Sequence, residues 1–221
     1  KLLVKTCEGM LKGGIYDHLG GGFHRYSVDR FWHIPHFEKM LYDNGQLATV
    51  YAEAFQLTGQ EEFKNVANGI LKFVSRELAA PGGGFYASLD AESEGIEGKF
   101  YRWELEEIEA ALTEQEYELF SKLYRLDEPP NFEEEFYAPQ LKLLMSDHAA
   151  ARELTLAELE SQLTPIRKKL FDVRAKRERP LLDTKILAAW NGLMIRGYAD
   201  AGRIFKNLDH IEKAEAAANF I

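Results

Sequence analysis

Two stretches of the chain repeat without a gap, and this repeat limits the possible folds more than any other feature. "NGQLATVYAEA" at 44–54 matches "NGLMIRGYADA" at 191–201, a shift of 147 residues. The shift pairs Asn44 with Asn191, Gly45 with Gly192, Tyr51 with Tyr198, Ala52 with Ala199 and Ala54 with Ala201, and the register continues to Phe73 and Phe220. A glycine inside a helix costs about 1 kcal/mol relative to alanine, so a repeated Asn-Gly pair in a helical pattern points to a packing demand. A second repeat is "GGGF", at 20–23 and again at 82–85, each time just after a helical segment. The chain reads as one helical hairpin used more than once, with glycine-rich connectors.

The apolar periodicity agrees. Phe37, Leu41, Asn44, Ala48, Tyr51 and Phe55 recur at spacings of three and four, one face of a helix that Gly59 ends as a C-cap. A second helix runs from about Gln60 to Leu78 and completes an αα-hairpin. Further helices are predicted near Glu104, near Glu114, from Thr155 to Lys176, from Asp183 (as N-cap) to Phe205, and after Phe205. "GGFYASLD" and "GKFYRW", either side of "AESEGIE", predict a small β-hairpin, whereas the adjacent prolines of "DEPPNFEEEFYAPQ" forbid a regular helix. A solenoid would repeat every 34–47 residues or so. A shift of 147 residues, carrying a long insertion, fits instead an all-α, α/α toroid whose connectors gather at one mouth, with the β-hairpin there. Both ends read as cut, so residues 1–221 are expected to be a single partial toroid domain.

Composition removes several classes of function. A net charge of −9 opposes sequence-independent binding to nucleic acid or anionic lipid. No apolar run approaches the roughly 20 residues a membrane span needs. Cys7 is the only cysteine, which excludes an internal disulfide and cysteine-based metal sites and leads us to expect a reducing, cytoplasmic setting.

"GGIYDHLGGGFHRYSVDRFWHIPHFEKMLYDNGQL", "SLDAESEGIEGKFYRW" and "DTKILAAWNGLMI" closely resemble the spermatogenesis-associated, thioredoxin-domain-containing proteins and their bacterial relatives, over roughly residues 5–205. That family joins an N-terminal thioredoxin-like domain to an α/α toroid similar to N-acylglucosamine 2-epimerases and six-hairpin glycosidases. The resemblance therefore implies a six-hairpin glycosidase-like fold, a carbohydrate as small-molecule partner, and a thioredoxin-like domain as a partner elsewhere in the protein. "NFEEEFYAPQLKLL" departs from the pattern, and nothing is transferred to it.

Residues 13–46 hold four histidines, His18, His24, His33 and His36. Sugar epimerisation needs a base to remove a proton beside a carbonyl and an acid to return one, and imidazole suits both. His24, His33 and His36 are the catalytic candidates; the alternative is that they fill a connector as hydrogen-bonded polar groups. Pro35 blocks a helical His pair and no HExxH occurs, so no metal site is expected. In "DAESEGIEGK", Asp90, Glu92 and Glu97 are candidate acid–base carboxylates, since crowded acids raise one another's pKa. A calcium loop fails because its twelfth position is Tyr101, and a solvated hairpin tip remains the plain alternative. Trp32, Tyr86 and Trp103 are candidate rings for stacking on sugar. Arg25, Asp43, Trp190 and Asn191 are candidate substrate contacts at the helix starts, although Arg25 also suits a structural salt bridge and the two asparagines suit helix–helix bonds. "GGGF" lacks the Gly-Lys-Ser/Thr of a phosphate loop, and no G-x-S-x-G elbow is present. Proton transfer of this kind needs no cofactor. The competing reading is a non-catalytic carbohydrate- or protein-binding module.

Overall fold

The structure is a computed structural model that describes residues 1–221. Helices dominate it: α1 (Leu2–Lys12), α2 (Leu41–Thr58), α3 (Glu61–Phe73), α4 (Leu105–Ala111), α5 (Glu114–Leu123), α6 (Met145–Ala150), α7 (Leu156–Arg174), α8 (Ala188–Phe205) and α9 (Leu208–Phe220). α3 continues into one π-helical turn, Val74–Leu78. Two hairpins, α2–α3 and α8–α9, stand side by side with α2 against α8, the hairpin repeat of an α/α toroid wall.

The close approach of α2 to α8 explains Gly45 of the repeated Asn-Gly pair, but not Gly192. A Cβ on Gly45 would come within 2.8 Å of the Met194 amide nitrogen, and one on Gly197 within 2.8 Å of the Gly45 carbonyl oxygen. Asn44 accepts from the Phe23 amide (2.8 Å) and donates to the Phe23 carbonyl (3.0 Å). Asn191 does the same to Phe85, at 2.8 and 3.0 Å. Phe23 then stacks on Tyr51 and Phe85 on Tyr198, with centroids 5.4 and 5.5 Å apart. The Tyr51 hydroxyl donates to the Cys7 carbonyl of α1, and the Tyr198 hydroxyl to the Leu71 carbonyl of α3. Both "GGGF" segments are thus the same device: a connector from an outer helix clamped to the start of an inner one.

The strands are two residues each. β1 (Tyr26–Ser27) pairs with β2 (Pro35–His36); β3 (Lys39–Met40), β4 (Ser88–Leu89) and β7 (Leu182–Asp183) form one antiparallel sheet with β4 central; β5 (Glu92–Ser93) pairs with β6 (Ile96–Glu97). This corrects three expectations. The helix expected from about Phe37 starts at Leu41, because Lys39 and Met40 are drawn into the sheet. Asp183 is no N-cap: it pairs with Ser88, and α8 begins at Ala188. The expected hairpin between 83–90 and 98–103 does not form, since both edges of β4 are taken by β3 and β7. The acidic loop makes its own hairpin instead, with Glu94 and Gly95 at φ 53° and 73° in its turn, the left-handed pair that a tight two-residue loop favours.

The two glycines of the repeat make opposite demands. Gly45 faces backbone, whereas a Cβ on Gly192 would meet nothing within 4 Å. Gly45→Ala is expected to cost about 1–3 kcal/mol by forcing α2 and α8 apart. Gly192→Ala is expected to be neutral or to stabilise by up to about 1 kcal/mol through helix propensity. Urea unfolding of both variants measures the difference.

Candidate functional site

The first turns of α2 and α8 bring polar and aromatic side chains to one face, and the two small hairpins deliver the rest. His36, on β2, places Nδ1 2.6 Å from Oε1 of Glu97 on β6. The two sequence regions singled out for chemistry therefore meet across 61 positions of chain. The ring of Tyr26, the β1 partner of His36, stacks on the imidazole at 4.8 Å. Glu38 lies 3.8 Å from His36 Nε2 and accepts from Arg25 at 2.9 Å. Arg25 Nε donates to the Tyr42 hydroxyl at 3.1 Å, and the Tyr42 ring meets Trp190 edge to face at 4.8 Å.

Asp43 adjoins this group in the first turn of α2. Burial pushes its carboxyl up to about 6, which Arg25 opposes and Glu38 reinforces. Its Oδ2 is buried without a partner. The arrangement thus offers an imidazole held at one nitrogen, a carboxyl that holds its proton up to about pH 6, a fixed guanidinium and three exposed or half-buried rings, Tyr26, Tyr42 and Trp190. No three His, Cys, Asp or Glu side chains gather closely enough to hold a metal ion. No helix is long and apolar enough to cross a membrane.

The other sequence candidates lie elsewhere. His24 is buried, its Nδ1 2.9 Å from the Phe37 carbonyl; burial and the nearby Lys39 push it down to about 3 and keep it neutral. His33 packs on Phe31 in a loop held by Asp29, apart from His36 and Glu97. Trp32 is spent on α1, its backbone carbonyl filling the space beside Gly13. Trp103 is wholly buried, with Arg177 over its ring at 4.2 Å, and offers no face to a ligand. Asn191 is the clamp on Phe85. Asp90 caps the amide of Glu92, and Glu92 stands opposite Glu97 in the hairpin register. Tyr86 is half-buried, without a side-chain bond to the cluster. Tyr26 and Tyr42 were not legible as members: only the pairing of β1 with β2 and the packing of α2 on α8 bring them in.

A cleft of about 360 Å³ lies away from this cluster, between α3 and α7, and is lined by His18, Glu62, Asn65, Lys72 and Arg167 among others. His18 is bonded to the Gly13 carbonyl at 3.0 Å, and burial pushes it down to about 4.

No family model matches the chain. Spermatogenesis-associated protein 20 of Homo sapiens is 40% identical over 246 residues, covering 100% of this chain and 31% of the relative. An uncharacterised protein of Caenorhabditis elegans is 34% identical over 244 residues, covering 100% of this chain and 33% of its own length. The chain thus spans about a third of the length of the curated relatives it matches. Among solved structures, a D-mannose isomerase overlaps 100% of this chain and 52% of its own, at 14% identity and a TM-score of 0.34.

A carboxyl raised from 3.8 to about 6 favours the folded state below its unfolded pKa, and that contribution is lost as pH rises through 6. Asp43→Asn removes the cost of ionising this group. The stability of the variant relative to the parent is expected to be unchanged near pH 4 and to grow towards pH 7, read as the difference in Tm across a pH series.

Proposed function

We propose, for a chain that shares its whole length with spermatogenesis-associated protein 20, that the face bearing His36 and Asp43 acts on a carbohydrate by cofactor-free proton transfer. The observation that carries this reading is the 2.6 Å contact between His36 Nδ1 and Glu97, next to a half-buried Asp43 with an unpartnered oxygen. With Nδ1–H donating to Glu97, Nε2 is left with a lone pair and acts as the base. It takes the proton from the carbon beside the sugar carbonyl while Asp43 gives its proton to the carbonyl oxygen, producing a neutral enediol. Return of the carbon proton from His36 to the neighbouring carbon, as Asp43 recovers a hydroxyl proton, completes an isomerisation; if the enediol turns over first, return to the other face of the same carbon, as Asp43 takes back the proton it gave, completes an epimerisation. Arg25 and Glu38 hydrogen-bond hydroxyls at the rim, and Trp190 and Tyr26 pack on the apolar C–H face of the ring.

The position of this cluster outside the 360 Å³ cleft between α3 and α7 favours a second reading. The face then holds a carbohydrate or protein ligand without reacting, as a module beside a thioredoxin-like domain of a longer protein.

The two readings separate in heavy water. With an aldose and ketose panel, the first predicts exchange of the C–H proton beside the carbonyl, followed by NMR. His36→Ala and Asp43→Asn are expected to lower its rate at least about a hundredfold, the scale of a lost acid or base. Saturable binding of a panel sugar with no exchange above buffer would support the module and overturn the enzyme.

A further inference from the structure

Behind the first connector, charge is out of balance. Lys39 Nζ donates to Asp17 at 2.7 Å and Arg174 donates to both Asp17 oxygens at 2.9 Å, so two buried cations share one buried carboxylate. Beside it, towards the surface, the partly exposed Arg76 and Arg179 share Glu77. A single crevice is lined by all six side chains, four cations against two carboxylates. Other nearby groups do not close the gap. His24 is neutral, the Gly20 and Gly21 carbonyls each take one N–H bond, and the rings of Phe73, Tyr101 and Phe171 solvate the cations without cancelling them. The C-terminus of α7, which ends at Arg174, supplies only about half a negative charge. Lys39, pushed down only to about 8 by burial, still carries its proton at neutral pH. Arg174 is 3 % exposed, and its Nε is buried with no partner. Uncompensated charge in a dry interior is costly enough that a counter-ion or loss of a proton is the usual resolution.

We propose that this crevice binds one small inorganic anion of the chloride type, held by Lys39, Arg76, Arg174 and Arg179. The site differs from the His36 face in residues and in ligand. The space open to the centre of a water-sized body is about 10 Å³, about what a single small ion or water occupies, so the site suits a monatomic anion better than sulfate, phosphate or an organic carboxylate. The anion ties the sheet (Lys39), the π-helical turn (Arg76), the end of α7 (Arg174) and the segment after it (Arg179) through one charge.

Thermal unfolding at neutral pH, in sodium chloride and in sodium gluconate of equal ionic strength, tests this, together with the chlorine NMR linewidth. The expected result is a higher Tm in chloride and an excess linewidth that bromide displaces. Arg179 sits at the rim with its side chain 48% exposed, so Arg179→Gln keeps the buried trio and the fold. It is expected to weaken chloride about tenfold, the scale of one charge-assisted contact. Equal Tm values in the two salts with no excess linewidth overturn the proposal and assign the excess charge to water or to deprotonated Lys39. A chloride effect of the same size in Arg179→Gln also overturns it, as a general salt effect.

Discussion

The fold depends on a side-chain amide that answers both halves of a buried peptide group. A glycine-rich connector has no side chains with which to pay for its own burial, and its backbone N–H and C=O must find partners. Asn44 and Asn191 each supply an acceptor and a donor to one residue, Phe23 or Phe85, from the first turn of an inner helix. The clamped phenylalanine stacks on the tyrosine two turns further along that helix, whose hydroxyl reaches the carbonyl of the preceding outer helix. Three elements are locked by one amide, one ring pair and one hydroxyl. An isosteric aspartate could accept from the amide but not donate to the carbonyl, and leucine could do neither, so the position tolerates little but asparagine.

The clamp also determines where chemistry can sit. It fixes the connectors at the N-terminal ends of α2 and α8, and the strands that follow or precede them inherit that placement. Arg25 and His36 leave the first connector there, Tyr42 and Asp43 open α2, and Trp190 opens α8 beside Asn191. The two repeats then diverge. The first connector carries Asp17 and is pinned by Lys39 and Arg174, while the second receives β4 and extends into the acidic hairpin. Identical clamps thus support one connector dense with charge and one that reaches over to meet it at Glu97.

Much of this was legible in the sequence because it is local or repeated. The Asn-Gly pair, the two "GGGF" segments and the period of α2, α3, α7 and α8 are visible without knowing any contact across the chain. What escaped was long-range pairing. Nothing in "GKFYRW" says that β4 already has neighbours on both edges, so its aromatics read as a strand when Trp103 is a core residue bridged to Tyr137. Nothing near Asp17 foretells Arg174, 157 positions away, which turns a loop acid into a buried ion triad. His24 and His36 look alike in sequence; one is buried beneath Phe37 and Tyr101 while the other stays at the surface.

Within the face itself, the allocation of partners distinguishes the two proton-carrying groups. Arg25 is the cation nearest to Asp43 in influence, yet its Nε and Nη1 bonds go to the Tyr42 hydroxyl and to Glu38 rather than to Asp43. A guanidinium engaged in that way lowers the Asp43 pKa by its charge alone, without a hydrogen bond, and burial outweighs it. His36 is in the opposite position: Nδ1 is anchored on Glu97 at 2.6 Å, which favours the Nδ1–H tautomer, and Nε2 lies 3.8 Å from Glu38. In the proposed reaction, an anchored imidazole and an unanchored, half-buried carboxyl are told apart as base and acid by environment, and the arrangement carries a cost to folding, since Asp43 ionises less readily here than in the unfolded chain. A position kept purely for stability would lose nothing by becoming asparagine. Under the proposed proton transfer, the carboxyl at Asp43 serves through its proton.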